Sequence, residues 1–348
     1  MKSLSRWVFL PTLGLAAAPA ALQAWGPVGH EIVNQVALAS LPADFPAWIH
    51  APANADRIVF LADEPDRWRD STDNPLLNAT SPEHEFNLEE IGAAGLDLAS
   101  LPPDRYDFVV QFAAARAAHA ANFEPIDPKY NAAHTQSLPG FLPWAVREDY
   151  AKLQTIFSYL KVYERYGTPE EAENARANAI YVMGVMGHFV GDGSQPLHAT
   201  IYYHGWTGPN PNGYIGSVAG WHAWIDSGFI NKAHLTAAEV LPRVQPAEPL
   251  SLARRPDGRD PVFAAILDYV LATNQQVEPL YRLERDGPLR MNGPPTQEGR
   301  AFIEGELLRG GEMLGALWIT AWRQARPDNY LQSSLLRRNA AAHRAAAP

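Results

Sequence analysis

The sequence contains no cysteine, and this absence removes disulfide bonds and thiolate metal sites from consideration. Any bound metal must therefore be held by histidine, carboxylate or backbone groups, a donor set that suits an open catalytic site better than a closed structural one. An excess of basic residues is also absent, since the formal net charge is −10. This charge argues against binding nucleic acid through a broad basic surface. Several divalent cations would reverse the sign locally, so a site for a single phosphate is compatible with the acidic chain.

Long apolar runs are missing beyond the N-terminus, so the sequence predicts no stable membrane anchor. The first 24 residues instead have the pattern of a secretory signal. They contain two basic residues among the first six, an apolar run over 7–21, and the small residue Ala24 at the end. Pro11 and Pro19 interrupt the run, which favours a cleaved signal over a membrane-spanning helix. We therefore expect a signal peptide over residues 1–24 and a secreted or periplasmic protein.

Strand-like alternation is scarce as well, because most apolar residues recur at helical spacing. This pattern predicts an all-α fold with one core, for which 348 residues and 47% hydrophobic content suffice. The predicted helices cover residues 27–41, 106–121, 144–166, 170–190, 220–231, 261–283 and 298–322. Segments rich in Pro, Gly and Asn predict loops at 63–82, 124–142, 203–217 and 254–260. We expect one domain over residues 25–324 and a partly disordered tail over 325–348.

The most informative segment is His188-Phe-Val-Gly-Asp192-Gly-Ser-Gln-Pro-Leu-His198. His188 and Asp192 are separated by about one helical turn, so they share a helix face and could bind one ion. The preceding residues 179–186 are apolar nearly all round, which predicts a helix buried in the core. Two polar side chains at the end of a buried helix need a partner there, and a metal ion would supply it.

A second pair, His222 and Asp226, repeats this spacing. One such pair could be a hydrogen bond on a helix face. Two pairs, with His198 between them, indicate zinc binding.

The predicted new N-terminus offers further ligands. Cleavage after Ala24 would expose the α-amine of Trp25, whose pKa of about 8 allows it to bind a metal together with its own carbonyl. His30 lies in the first turn of the next helix and could reach the same ion. A lone histidine is more often a surface or capping residue, but its position directly after a signal peptide favours the metal interpretation.

Two more segments supply charged or imidazole groups. The loop over residues 61–69 contains Asp63, Asp66, Arg67 and Arg69, a composition that is also typical of a solvated turn. His84 follows in a mixed polar and apolar context. Neither segment would indicate a site by itself.

Taken in order, these residues resemble the trinuclear zinc phosphoesterases, a superfamily of fungal and plant single-strand-specific zinc nucleases and bacterial zinc-dependent phospholipases C. The resemblance covers residue 25 to about residue 230, and the run Gly191-Asp192-x-x-Gln195-Pro196-Leu197-His198 is its most specific part. It implies the helical phospholipase C or zinc nuclease-like fold and three zinc ions per chain. The resemblance implies one ion on the Asp loop, His84, His188 and Asp192, a second on Trp25, His30 and Asp192, and a third on His198, His222 and Asp226.

The resemblance leaves the Asp of the loop ambiguous. In the nuclease branch this Asp has an Arg three residues later, which Asp66 and Arg69 satisfy. Asp63 follows Ala62, as the nuclease-branch Asp often does, and it stays as the alternative. The sequence His84-Glu-Phe-Asn also departs from the usual His-aromatic pattern of the family, which weakens the assignment of substrate-contacting neighbours.

The implied chemistry is attack on phosphorus by a water that bridges two zinc ions and is positioned by Asp192. Arg69, or Arg67, would neutralise charge on the phosphoryl oxygens. The favoured function is hydrolysis of single-stranded DNA, RNA or nucleotides by a monomeric endonuclease, with 3′-nucleotidase activity as a further expectation. The aromatic segment 202–206 could stack bases or pack under its own loop.

Two other functions compete with the nuclease. A zinc-dependent phospholipase C acting on phospholipid head groups is the first alternative. The second is an exported zinc-binding protein without catalysis, which would need neither a bridging carboxylate nor open coordination positions.

Overall fold

The computed structural model describes residues 25–128 and 131–346, and the predicted signal peptide over residues 1–24 lies outside them. These described residues are 67% helical and form no sheet. Within the described ranges the strand-like pairing is one isolated bridge between Trp206 and Gly216. The predicted all-α single domain is confirmed.

The order of the helices follows the chain. The α-helices are α1 (Pro27–Ser40), α2 (Pro52–Leu61), α3 (Glu64–Arg69), α4 (Asn74–Thr80), α5 (Leu88–Ala93), α6 (Arg105–Ala118), α7 (Leu142–Tyr166), α8 (Pro169–Asp192), α9 (Trp221–Ala223), α10 (Phe229–Ala233), α11 (Ala237–Val240), α12 (Pro261–Asn274), α13 (Val277–Asp286), α14 (Gln297–Gln324) and α15 (Asn329–Ala346). Two 3₁₀ turns, Ser81–His84 and Pro196–His198, each end on a candidate ligand. A π-helix, Trp224–Gly228, joins α9 to α10. Among the described helices, none is both long and apolar enough to cross a membrane.

The central helix of the core is α8. A capping box begins it, because Thr168 Oγ1 accepts from the backbone N–H of Glu171 and the Glu171 carboxylate accepts from the N–H of Thr168. Residues 183–192 at its other end are all buried. Helix α8 packs along α7, α1 packs along α14, and both α2 and α14 contact α8. The C-terminal end of α8 is therefore surrounded by protein.

Close packing around α8 depends on small residues. A Cβ at Gly187 would lie 1.7 Å from Asn34 Oδ1, so only glycine allows α1 to approach here. Asn34 Nδ2 then donates to the carbonyls of Ile58, at 2.8 Å, and Gly184, at 3.2 Å. This buried amide ties α1 and α2 to α8 next to the candidate ligands.

Two predicted segments differ from the structure. The predicted loop over 63–82 contains α3 and α4, because acidic residues begin α3 and the Asp73 side chain accepts from Leu76 N at the start of α4. The predicted helix over 261–283 is broken at Gln275 and Gln276 into α12 and α13. At this break Thr273 Oγ1 donates to the carbonyl of Gly193, 2.5 Å away.

The C-terminal segment also differs from the prediction. The sequence predicts a partly disordered tail over 325–348, whereas residues 329–346 form the helix α15. Arg338 makes two hydrogen bonds to the Glu171 carboxylate, and Leu335 is buried. The alanine-rich composition thus supports a helix, since α15 has a partner surface on α7.

Candidate metal centre

Three groups of His and Asp side chains come together at the end of α8. The groups are His30, His188 and Asp192; Asp66, His84 and His188; and His198, His222 and Asp226. Within each group the potential ligand atoms all lie within 4.8 Å of one another. Every one of these side chains belongs to a residue that is at most 4% exposed. Their donor types and spacing are those of sites that could hold metal ions.

His188 belongs to both of the first two groups, and the Asp192 carboxylate of the first group also reaches the second. Its Oδ1 is 3.4 Å from His30 Nε2. Its Oδ2 is 3.1 Å from His84 Nδ1 and 3.4 Å from His188 Nε2. Each oxygen therefore faces a different set of histidines, which is the arrangement required of a carboxylate that bridges two ions.

Backbone carbonyls orient two of the histidines. His188 Nδ1 lies 2.7 Å from the carbonyl of Ala62, and His198 Nδ1 lies 2.5 Å from the carbonyl of His84. Because a carbonyl can only accept, each Nδ1 carries the hydrogen, and each Nε2 presents its lone pair to the cluster. His188 Nε2 then lies 3.0 Å from His84 Nδ1, and His198 Nε2 lies 3.0 Å from His222 Nε2.

Burial sets the protonation of the centre. It lowers the pKa of His188 and His198 to about 3, and that of His30, His84 and His222 well below the usual value. Burial also raises the pKa of Asp66 to about 7 and the pKa values of Asp192 and Asp226 well above their usual range. Neutral imidazoles thus face carboxylates whose burial is partly offset by the charge of Arg69.

Many ligand atoms are buried without a hydrogen-bond partner. They include both ring nitrogens of His30, both carboxylate oxygens of Asp66, His84 Nε2, Asp192 Oδ1 and Asp226 Oδ2. Native proteins rarely leave so many buried polar atoms unpaired in one place. Bound cations would supply both the missing charge and the missing partners, so these residues fit metal ions.

The structure brings Asp66, rather than Asp63, into the cluster. Asp66 Oδ1 lies 3.7 Å from His188 Nε2 and 3.8 Å from His84 Nδ1. Asp63 instead forms an ion pair with Arg67, at 3.1 Å. Helix α3 causes this difference, since it turns Asp66 towards α8 and leaves Asp63 at its N-terminal boundary.

Exchanging these two carboxylates for amides tests this assignment. We expect Asp66→Asn to lower the metal content by about one ion per chain, since Asn is an uncharged and weaker ligand. Asp63→Asn is the matched control and should retain full metal content, because it loses only a partly exposed ion pair. Elemental analysis of both purified variants is the measurement. Metal loss in Asp63→Asn with none in Asp66→Asn would reverse the assignment.

Arg69 is the arginine that faces the centre. Its Nη1 is buried without a partner, and its charge partly offsets the effect of burial on the pKa of Asp66. Arg67 instead pairs with Asp63 and Glu64 and lies 4.3 Å over the Phe60 ring. Of the two predicted arginines, Arg69 is therefore placed to contact a bound anion.

Trp25 packs beside the same ligands. Its side chain is fully buried, and the indole Nε1 donates to Ser194 Oγ at 2.9 Å. The next N–H, of Gly26, donates to the carbonyl of Asp226 at 2.9 Å. The first described residue therefore lies between the segment that follows Asp192 and the segment that contains Asp226.

A buried glutamine, whose role the sequence did not indicate, orients the third group. Gln195 Nε2 donates to Asp226 Oδ1 at 2.6 Å, and its Oε1 accepts from the backbone N–H of Leu197. Asp226 Oδ2 remains 3.5 Å from His222 Nε2. Asp226 lies in the π-helix, a type of distortion that often occurs at functional sites. The Gln-Pro-Leu-His run is the signal from which this role could have been inferred.

The side chains of the aromatic segment 202–206 lie in two different environments. Tyr202 and Trp206 stack at 4.2 Å between ring centroids, and Trp206 also packs against Tyr281. These two rings pack under their own loop, the alternative interpretation from the sequence. Tyr203 and His204 instead have ring centroids 6.1 Å from that of His222.

The chain matches no model of a known protein family, and it has no match among curated proteins. The geometry of the three side-chain groups is therefore the basis for a functional assignment.

Proposed function

We propose that this protein is a zinc-dependent phosphodiesterase that hydrolyses single-stranded nucleic acid, and that it belongs with the trinuclear zinc phosphoesterases that its sequence resembles. The observation that supports this most is the position of Asp192, whose two carboxylate oxygens face different histidines at 3.1 to 3.4 Å. A structural metal site is closed by four protein ligands and has no use for a shared carboxylate. A carboxylate shared between two ions would instead hold them close together, and the third group offers three protein donors, so a position would remain there for water or substrate.

The spacing of the ligand atoms is compatible with zinc. Two nitrogen ligands of a tetrahedral zinc, each about 2.0–2.1 Å from the ion, lie about 3.3 Å apart. The His84–His188 and His198–His222 nitrogen pairs are each separated by 3.0 Å. The chain has no thiolate to offer, and imidazole with carboxylate is a donor set that zinc accepts.

The side chains of each proposed ligand set are in contact with one another as described above, and the Trp25 terminus is added from the family resemblance. Asp66, His84, His188 and Asp192 would hold one ion, His30, Asp192 and the Trp25 terminus a second, and His198, His222 and Asp226 a third. Bound zinc lowers the pKa of water towards neutrality and polarises phosphoryl oxygens.

The protein's own groups would orient the substrate around these ions. Arg69 would donate its buried, unpartnered Nη1 to a phosphoryl oxygen and neutralise charge that develops there. Gln195 would keep Asp226 in position, and the carbonyl of Ala62 would keep the ring of His188 in its metal-binding tautomer. Burial of the centre would exclude bulk water and strengthen these contacts.

A cleft next to the centre has both polar and apolar walls. Its polar residues include Glu85, Asn87, Glu89, Glu90 and Arg116, and its apolar residues include Phe123, Ile126, Leu138 and Ile201. The polar groups would form hydrogen bonds to a nucleotide, and on this ground we favour nucleic acid. The apolar wall could contact a lipid, so phospholipase C is the second candidate. We further propose that the protein acts after export, in agreement with its predicted signal peptide.

A substrate comparison tests the proposed function. The mature protein, beginning at Trp25, should contain about three zinc ions per chain and hydrolyse single-stranded DNA and RNA but not phosphatidylcholine vesicles. Chelation should stop hydrolysis and lower the melting temperature, since metal binding is coupled to the folded ligand arrangement. Hydrolysis of phosphatidylcholine alone would identify a phospholipase C. No hydrolysis at full zinc content would identify a non-catalytic zinc protein, and one zinc or none after zinc-replete purification would contradict the trinuclear centre.

A further inference from the structure

The cleft beside the metal centre has a volume of 390 Å³, within the range of about 300–1,000 Å³ that is typical of small-molecule sites. Two of its lining residues connect it to the centre. Glu85 follows the candidate ligand His84 in sequence, and the ring of Tyr203 lies near that of His222. A group attached to a phosphate at the metal centre could therefore enter this cleft.

Three polar atoms on residues that line the cleft are buried and have no hydrogen-bond partner. They are Asn87 Oδ1, Glu90 Oε2 and Arg116 Nη1. Asn87 is only 8% exposed, so its unpaired oxygen is not compensated by bulk water. Glu89, on the same wall, differs because its carboxylate accepts from Thr200 Oγ1, the backbone N–H of Ile201 and Asn274 Nδ2. The three unpaired atoms of the cleft residues would gain hydrogen bonds from a ligand with matching groups.

Glu90 and Arg116 are held side by side. Arg116 Nη1 lies 3.8 Å from Glu90 Oε1, too far for a hydrogen bond. The Arg116 guanidinium also lies 3.9 Å over the ring of Phe123, which fixes its plane. The cleft therefore presents two carboxylate acceptors next to one guanidinium donor.

Among the nucleobases, guanine matches this order of groups best. The Watson–Crick edge of guanine presents the 2-amino group, N1–H and O6, which are two donors followed by an acceptor. Adenine presents one amino donor beside a ring acceptor, and so leaves one carboxylate oxygen unpaired. A quaternary ammonium group would be attracted by the carboxylates of the cleft, but it has no N–H to donate and would leave Asn87 Oδ1 and Glu90 Oε2 without hydrogen bonds.

We propose that this cleft selects guanine, with the 2-amino group and N1–H donating to the Glu90 carboxylate and O6 accepting from Arg116. Asn87 Oδ1 offers a further acceptor for the amino group. This inference rests on the proposed nucleic acid substrate and adds to it a base preference. Glu90 and Arg116 then determine specificity, whereas the metal ligands and Arg69 act on the phosphate.

Binding of nucleosides, which carry no phosphate, tests the cleft separately from the metal centre. Isothermal titration of the mature protein with guanosine, inosine, adenosine and choline at pH 8 is the measurement. This pH is chosen because burial raises the pKa of Glu90 to about 7. We expect guanosine to bind about 10- to 100-fold more tightly than adenosine, the discrimination typical of a paired two-bond contact to a base. Inosine lacks the 2-amino group and should bind with intermediate affinity.

Two variants test whether Glu90 and Arg116 cause the preference for guanosine over adenosine. Glu90→Gln and Arg116→Gln should each reduce the preference for guanosine to less than about 3-fold, while a thermal melt verifies that both variants fold. Glu124→Gln is the matched control, since Glu124 lines the same cleft but is exposed, and it should retain the preference.

Several outcomes would overturn the proposal. These are equal binding of guanosine and adenosine, tighter binding of choline, or a guanosine preference that survives Glu90→Gln. The comparison of nucleosides on the unaltered protein stands even if a variant fails to fold. Hydrolysis of single-stranded DNA without base preference would refute the guanine cleft alone. Guanosine binding without hydrolysis of any nucleic acid would refute the proposed function alone.

Discussion

Asp192→Asn is expected to reduce phosphodiester hydrolysis by at least ~1,000-fold, the upper range for loss of one preorganised electrostatic group. The same change should lower the zinc content from about three ions to about one. The reason is that the two oxygens of Asp192 face His30 on one side and His84 with His188 on the other. An amide has one weak oxygen ligand and no charge, so both neighbouring sites would lose their common ligand.

The stability of this variant should change in opposite directions with and without metal. Burial raises the pKa of Asp192 in the folded protein above its ordinary value of 3.8. Without metal, this carboxyl therefore destabilises the fold as pH rises above 3.8, and the effect grows until the pH passes the folded pKa. At pH 8 the neutral amide removes this cost, so metal-free Asp192→Asn should melt at a higher temperature than the metal-free parent. With zinc present the order should reverse, because the parent gains more binding energy.

Two controls separate this effect from general damage. Asp226 contacts one group alone, so Asp226→Asn should lose about one zinc ion and less activity than Asp192→Asn. Asp149 is also buried, at 5% exposed, but lies outside the three groups, so Asp149→Asn should retain full zinc. Elemental analysis, rates on single-stranded DNA and melting with and without chelator provide the comparison. Near-normal turnover and full zinc in Asp192→Asn would contradict the bridging role.

Local sequence patterns predicted α1, α7, α8 and α14 and the candidate ligand pairs, but not α2, which also packs against α8. His188 and Asp192 are one turn apart on α8, and this spacing by itself places both side chains at one site. The same holds for His222 and Asp226, although the chain between them adopts π rather than regular α geometry. Such a distortion depends on packing between distant segments, which no local pattern reports.

The features that the sequence pattern did not predict depend on contacts between distant segments. The resemblance favours Asp66 and keeps Asp63 as the alternative, and the formation of α3 against α8 places Asp66 beside the histidines. The cleft formed by Glu90 and Arg116 had no motif, because these residues lie on different helices and meet only in the folded chain. The C-terminal segment was predicted as a tail for a related reason, since the contacts of its helix with α7 and α8 could not be inferred from the local sequence.

Extension of the N-terminus should inactivate the protein without unfolding it. Suppose that the α-amine and carbonyl of Trp25 bind zinc, as proposed. A protein that retains Met-Ala before Trp25 would then carry its amine about 7 Å further along an extended chain. An amide nitrogen, which is a poor zinc ligand at neutral pH, would take the place of the amine. We expect the loss of one zinc ion and a decrease in hydrolysis of at least ~100-fold.

The surroundings of Trp25 explain why the fold should survive and how to control for packing. The indole is buried and bonded to Ser194, and the Gly26 N–H is bonded to the Asp226 carbonyl, contacts that do not require a free terminus. A correctly processed Trp25→Phe variant keeps the amine but loses the indole hydrogen bond, so it should melt at a lower temperature yet retain about three zinc ions. Zinc content, melting temperature and rate are compared between the extended, the processed and the Trp25→Phe proteins. Equal zinc and equal rates in the extended and processed proteins would mean that Trp25 contributes packing alone, and that His30 and Asp192 hold their ion without the terminus.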